Sequence, residues 1–254
     1  MGADRFWLNC AGKKMKPRVE VTVAPLVSIP NVAIMALSGP DHTLKCAVCL
    51  LLVYNHIMLK HRITFVDLET GGLSSKRHPI IQIAAVTVDL PFASYRPFER
   101  KIRFDLTQAD PQALAMNSYD ADLWAREAVD ERIAANDFAA FLKRSADLTK
   151  VSRNGRPYKV AQMAAHNAPF DHGFLFAWFK RLNIYLPGEW HMIDTMQLAL
   201  LNNAVNGTRP PSLKLVDLCD FYGIELNNAH DALGDVMATA KLGRHLLMQL
   251  QGVG

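Results

Sequence analysis

Two carboxylates, two residues apart at the end of a β-rich run, constrain this chain more than any other feature of it. Ile63-Thr64-Phe65-Val66 is β-branched and aromatic and Gly71-Gly72 stops the run, so it reads as a short buried strand. Alternate residues of a strand share a face, which aims Asp67 and Glu69 at one spot where the strand ends. Like charges held that close are costly unless a cation sits between them. Oxygen donors of this kind suit Mg²⁺ or Mn²⁺ better than zinc.

A third carboxylate arrives at the start of a helix. The apolar run Met163-Ala164-Ala165 leads into His166-Asn167-Ala168-Pro169-Phe170-Asp171. From Phe170 to Leu182 the apolar residues Phe170, Phe174, Leu175, Trp178, Phe179 and Leu182 repeat with the spacing of one buried helix face. Proline near the helix start and aspartate in its first turn are ordinary start signals, so Asp171 also has a plain reading as a partner of the helix dipole. A fourth carboxylate, Asp235, follows in His230-Asp231-Ala232-Leu233-Gly234-Asp235, which opens a helix to about Leu250 packed along one side by Leu233, Val236, Ala240, Leu246, Leu247 and Leu250. A histidine just ahead of such a helix can swing over a site to which the helix contributes Asp235.

In wording and order these segments resemble the DEDDh exonuclease family, whose motifs read D-x-E-T-G, H-N-A-x-F-D and H-x-A-x-x-D. The resemblance runs from about Arg62 to Leu250 and keeps every acidic and histidine position. The phrases Pro111 to Asn117 and Ala165 to His172 are similar to ribonuclease T and to polymerase proofreading subunits. The fold it implies is α/β, a ribonuclease-H-like mixed β-sheet flanked by α-helices. The reaction it implies is metal-dependent 3′–5′ hydrolysis of phosphodiesters at single-stranded DNA or RNA 3′ ends, releasing nucleoside 5′-monophosphates. Two Mg²⁺ (or Mn²⁺) ions about 4 Å apart clamp the attacking and leaving oxygens in such sites. Carried over by position, the resemblance implies that Asp67 would bridge both ions, Glu69 and Asp235 would hold the ion that carries the attacking water, Asp171 would help hold the second, and His230 would take the proton from that water. The resemblance also places Thr70, Gly71, His166 and Asn167 at substrate-binding positions, and Leu73 is nearest to the residue that packs against the terminal base in related enzymes. Phe170 and Phe174 have two readings, base stacking or core. The alternative from another class is a non-catalytic nucleic-acid-binding or polymerase-docking module on the same fold, which loss of a carboxylate would favour. A short-oligonucleotide exonuclease is a third reading, and a polymerase or a second copy of the chain is a candidate partner.

Strands are expected near 63–68, 80–89, 98–105 and 160–165. Helices are expected near 108–116, 130–144, 170–182, 194–203, 212–221 and 231–250. The formal charge of +4 invites a nucleic-acid argument, but residues 1–61 hold seven Lys/Arg against three Asp/Glu and so carry all of it. Local clusters are better guides: Lys143, Arg144, Lys150, Arg153, Arg156 and Lys159 form one, and Lys76-Arg77-His78 another, each readable as phosphate contacts or as solvated loop. Residues 1–57 hold Pro17, Pro25, Pro30 and Pro40 and no clear periodicity, which leaves an irregular N-terminal extension before an exonuclease domain at 58–254. Cys46 and Cys49, with His56 and His61, are spaced poorly for a zinc finger. The apolar run Ala47 to Tyr54 is too short to cross a bilayer and too late for a secretory signal, so a cytoplasmic protein without membrane contact is expected. Cys219 reads as a core residue rather than a nucleophile.

Overall fold

In the computed structural model, residues 61–89, 94–226 and 231–250 are described. Strands β1 (Arg62–Thr70), β2 (Ile80–Asp89) and β3 (Ser94–Lys101) form an antiparallel meander. A 3₁₀ turn (Leu106–Gln108) and helices α1 (Pro111–Met116), α2 (Ala121–Glu127) and α3 (Glu131–Ser145) follow, then a hairpin of β4 (Leu148–Val151) and β5 (Pro157–Val160). The chain then lays β6 (Gln162–Ala165) parallel to β1. After α4 (Ala168–Leu182), β7 (Ile193–Asp194) pairs parallel with β6, and α5 (Thr195–Asn206), α6 (Leu215–Phe221) and α7 (Ala232–Leu250) complete the order. The main sheet runs β3-β2-β1-β6-β7. This is the mixed, helix-flanked sheet expected of a ribonuclease-H-like fold.

Alternation along β1 and β2 sorts the core into two layers. Val66, Leu68, Ile83 and Ala85 meet Phe138 and Leu142 of α3 and Phe174, Leu175 and Trp178 of α4. Ile63, Phe65, Ala84, Val86 and Val88 meet Ala232, Val236 and Ala240 of α7. By the same parity, Asp67 and Glu69 continue the Ile63–Phe65 face, the one that α7 covers. Helix α7 comes close because Gly243 has no side chain: a Cβ there would lie 2.9 Å from two ring carbons of Phe65. Inside the first layer a hydroxyl chain, Thr64 to Thr87 at 2.9 Å and Thr87 to Ser145 at 2.8 Å, satisfies three polar side chains buried in the core.

Several elements differ from expectation. Strand β3 starts earlier than expected and holds Pro97, which the edge of a sheet tolerates because its missing N–H faces no neighbour. The stretch expected as one helix over 108–116 splits into the 3₁₀ turn and α1, and α2, capped by the Asp120 carboxylate on Leu123 N–H at 2.6 Å, was not anticipated. The basic stretch 148–160 is a hairpin turning at Asn154-Gly155, with Gly155 at φ 73°. His61 is exposed, whereas Cys46, Cys49 and His56 lie outside the described residues.

Candidate active site

Three chain segments that are remote in sequence meet at the end of β1. Oxygens of Asp67, Glu69 and Asp235 all lie within 4.8 Å of one another, with Glu69 buried and the other two half-buried. Asp171, only 4% exposed, joins them from the first turn of α4, its carboxylate held by the backbone N–H groups of Leu68 and of Asp171 itself. That bond ties α4 to β1 at the point where the carboxylates gather.

Electrostatics record the crowding. Burial first, then the charges of Asp171, Glu69, Asp235 and Asp231, holds Asp67 well above the ordinary carboxylate range. Glu69 is pushed up to about 7 by burial and by Asp235 and Asp231. Asp171 is raised too, mainly by burial, with Glu69 and Asp194 adding to it and its two backbone donors opposing. A buried carboxylate cluster with so much mutual repulsion suits a divalent cation that supplies the missing positive charge. All of its donors are carboxylate oxygens, which favours a hard ion.

The loop after β1 is built on two glycines. Gly71 N–H donates to Pro79 O at 2.8 Å, and Gly71 O accepts from Asp110 N–H at 2.7 Å. A Cβ on Gly71 would lie 2.9 Å from the Ala109 side chain, and one on Gly72 would collide with the His78 ring. Thr70 Oγ1 donates to Gly72 O at 2.9 Å, and Asn117 Nδ2 donates to Thr70 O at 2.9 Å. These bonds fasten the loop to α1 and leave Leu73 at its tip 87% exposed, free to meet an incoming group.

His166 is used within the protein at both ring nitrogens. The Leu213 carbonyl at 2.9 Å can only accept, so Nε2–H donates to it and Nδ1 accepts from the Thr195 hydroxyl at 2.9 Å. Burial lowers its pKa, consistent with that neutral ring, while the Leu213 bond and Asp194 work against the shift. Asn167 adopts the left-handed conformation, φ 63° and ψ 51°, which asparagine tolerates better than most residues, and this turns the chain from β6 into α4. Phe170 is partly buried against the first core layer, and Phe174, at 3% exposed, is core. Cys219 is core as expected, with its thiol pushed up to about 11 chiefly by burial. His230 lies outside the described residues.

Two residues of the site were missed. Asp194 Oδ1 accepts from Asn167 N–H at 3.1 Å and from Met196 N–H at 2.9 Å, joining the starts of α4 and α5. An aspartate opening a helical pattern was the signal available for it. Asp231 adds its charge to Asp67 and Glu69 from just ahead of α7. The basic clusters are partly absorbed elsewhere: Lys150 pairs with Glu189 at 2.8 Å, and Lys143 and Arg144 sit in the last turn of α3.

Comparison with known proteins agrees with this geometry. The exonuclease family profile (RNase_T) matches residues 157–242. A ribonuclease T of Haemophilus ducreyi is 29% identical over 216 residues, covering 80% of this chain and 94% of that protein. A ribonuclease T of Wigglesworthia glossinidia brevipalpis is 30% identical over 185 residues, covering 70% of this chain and 80% of that protein. E. coli exonuclease I in complex with a dT13 oligonucleotide shares the fold, with a TM-score of 0.58 and 21% identity, over 75% of this chain. Its zinc-bound complex with single-stranded DNA has a TM-score of 0.60 and 22% identity. This chain spans 41% of those exonuclease I chains. Among the described residues no helix is long and apolar enough to cross a membrane. The reading as a non-catalytic module on this fold therefore gives way. With its carboxylates gathered at the end of β1 and its likeness extending over most of a known ribonuclease T, the chain belongs to the ribonuclease T family of DEDDh-type 3′–5′ exonucleases.

Proposed function

We propose that this protein removes nucleotides one at a time from single-stranded DNA or RNA 3′ ends, using two Mg²⁺ or Mn²⁺ ions and a histidine base. The observation that carries this reading is the convergence of Asp67, Glu69 and Asp235 within 4.8 Å, with Asp171 beside them. Asp67, Glu69 and Asp235 would hold one ion, and Asp67 with Asp171 the second. Bound there, such ions offset charge developing on the phosphate and lower the pKa of a coordinated water.

The chain's own groups supply the rest. His230 accepts the proton of the attacking water, a task suited to a side chain that titrates near neutrality. Thr70 and Gly71 set the shape of the loop under the terminal nucleotide, and exposed Leu73 packs on its base. His166 and Asn167 hold the start of α4, and so Asp171, in place, while the partly buried Phe170 ring borders the same helix start. Residues 58–254 form the exonuclease domain and residues 1–57 an extension to it. Its setting is the cytoplasm, where the nucleic acid is its partner. Dimer formation or docking to a polymerase is a separate matter of surface.

The test is digestion of matched 5′-labelled single-stranded DNA and RNA with Mg²⁺, with Mn²⁺ and with EDTA, comparing wild type with Asp67→Ala. A one-nucleotide ladder from the 3′ end, absent with EDTA and in the variant, is expected. Full activity in Asp67→Ala would remove the basis of the metal assignment.

A further inference from the structure

The ladder between β1 and β2 slips immediately after Glu69. Glu69 lies opposite Gln82 but Thr70 lies opposite Ile80, so Ile81 is an extra residue on β2 and the pair bulges there. A bulge takes backbone groups out of the ladder, and buried groups then need other partners. Thr70 and Ile81 are both buried. Their partners come from the chain that follows β3. Ile81 O accepts from Ile102 N–H at 2.8 Å and from the Trp124 indole N–H at 3.2 Å. Thr70 O accepts from Asn117 Nδ2 at 2.9 Å. The two strands of the bulge are therefore clamped separately, the β2 side by Trp124 and the β1 side by Asn117.

Asn117 closes a helix that packing holds only weakly. None of the residues of α1 is buried, although Leu114 packs partly against Trp124. Its two ends are tied to the active-site loop instead: Asp110 N–H donates to Gly71 O at 2.7 Å, and Asn117 to Thr70 O. The helix thus spans two successive carbonyls of the chain leaving Glu69. Directly after Asn117 the backbone enters the left-handed region at Ser118, φ 50°, which is uncommon for serine. Backbone of that kind persists where its surroundings over-determine it, and such places cluster at functional sites.

We infer that Asn117 is a positioning residue for the carboxylate site. By holding the Thr70 carbonyl it fixes the bulge, and the bulge sets the direction of Glu69, whose oxygen meets those of Asp67 and Asp235 within 4.8 Å. Without that amide the buried carbonyl loses its partner, and the backbone turns to find another, carrying Glu69 with it. Asn117 acts only through Glu69, so the inference rests on the proposed role of Glu69 as a metal ligand.

The experiment uses the full chain as wild type, Asn117→Ala, Asn117→Leu and Asp120→Ala. Leucine keeps the size of asparagine and removes the donor, whereas Asp120→Ala removes the cap of α2 and leaves the bulge alone. Mn²⁺ binding is followed by calorimetry without nucleic acid, kcat and KM are measured on single-stranded DNA at saturating Mg²⁺, and Tm is measured in EDTA. Both Asn117 variants should weaken Mn²⁺ binding and lower kcat, each roughly 10–100-fold, with KM within about twofold of wild type. Asp120→Ala should lower Tm yet bind Mn²⁺ as the wild type does. Wild-type Mn²⁺ affinity in Asn117→Leu, or an equal loss of affinity in Asp120→Ala, would overturn the assignment. Wild-type protein that binds Mn²⁺ but cuts nothing would overturn the exonuclease reading instead, while the Mn²⁺ affinities still test Asn117. Wild-type protein that binds no Mn²⁺ would overturn both.

Discussion

Removing the charge of Glu69 should stabilise the metal-free protein, and only at the upper end of the pH range. Glu69 titrates near 7 in the folded chain against an ordinary value of 4.5. Between those values the folded state holds a proton that the unfolded state has released, so stability falls as pH rises through the window. For one group with this shift, the linkage relation gives a loss of about 2 kcal/mol between pH 5.5 and 8. In a domain of this size that is roughly 4–8 °C in Tm. Asp67 and Asp171 are shifted in the same direction and add to the slope. In EDTA, wild-type Tm should therefore drop from pH 5.5 to 8, and Glu69→Gln should drop by several degrees less. Adding Mg²⁺ at pH 8 should recover the wild type more than the variant, because binding favours the ionised cluster. Thermal unfolding followed by circular dichroism reads all of this. A wild-type Tm that is flat or rises across the window in EDTA, or a variant with the same slope, would refute the argument from crowded carboxylates.

Other perturbations test other parts. Asp235→Ala should abolish cleavage yet leave the unfolding transition cooperative, and turnover near the wild-type rate would remove it from the site. His230→Ala should slow kcat about 10²–10⁴-fold, with added imidazole the natural rescue to try; a rate within a factor of two would exclude it as the base. Gly243→Ala puts a methyl 2.9 Å from the Phe65 ring and should cost about 1–3 kcal/mol in denaturant titration. An unchanged midpoint would mean that α7 shifts freely. Asp194→Ala removes the acceptor at two helix starts, worth about 1 kcal/mol each, and should lower Tm and kcat together. A loss in only one of them would separate its structural role from its positioning one.

What could be read in advance was what local pattern decides. Alternation placed β1 and turned Asp67 and Glu69 to one face, and helical spacing placed α4 and α7. The three motif phrases supplied the carboxylates that the fold then brought together. What escaped were elements whose reason lies elsewhere in the chain. Strand β7 is two residues long and exists through its pairing with β6. The β4–β5 hairpin exposes most of both strands, so no apolar alternation announced it. His166 resembled a substrate contact, and only the approach of Leu213 and Thr195 shows both of its nitrogens engaged. Lys76-Arg77-His78 looked like one cluster, but a backbone bond to Ser74 takes the histidine into the loop and leaves the other two to solvent.

The docking of α7 across β1 has a consequence for how activity comes into being during synthesis. Asp67 and Glu69 leave the ribosome early and Asp235 late, and the helix that brings Asp235 also covers the Ile63–Phe65 face of the sheet. A nascent chain that stops before residue 231 therefore holds an incomplete set of carboxylates and an uncovered apolar surface at the same time. The proposed hydrolytic centre and the finished core are completed by one event. With Asp235 in its proposed role, half-made copies would lack both the activity and the cover of the Ile63–Phe65 face.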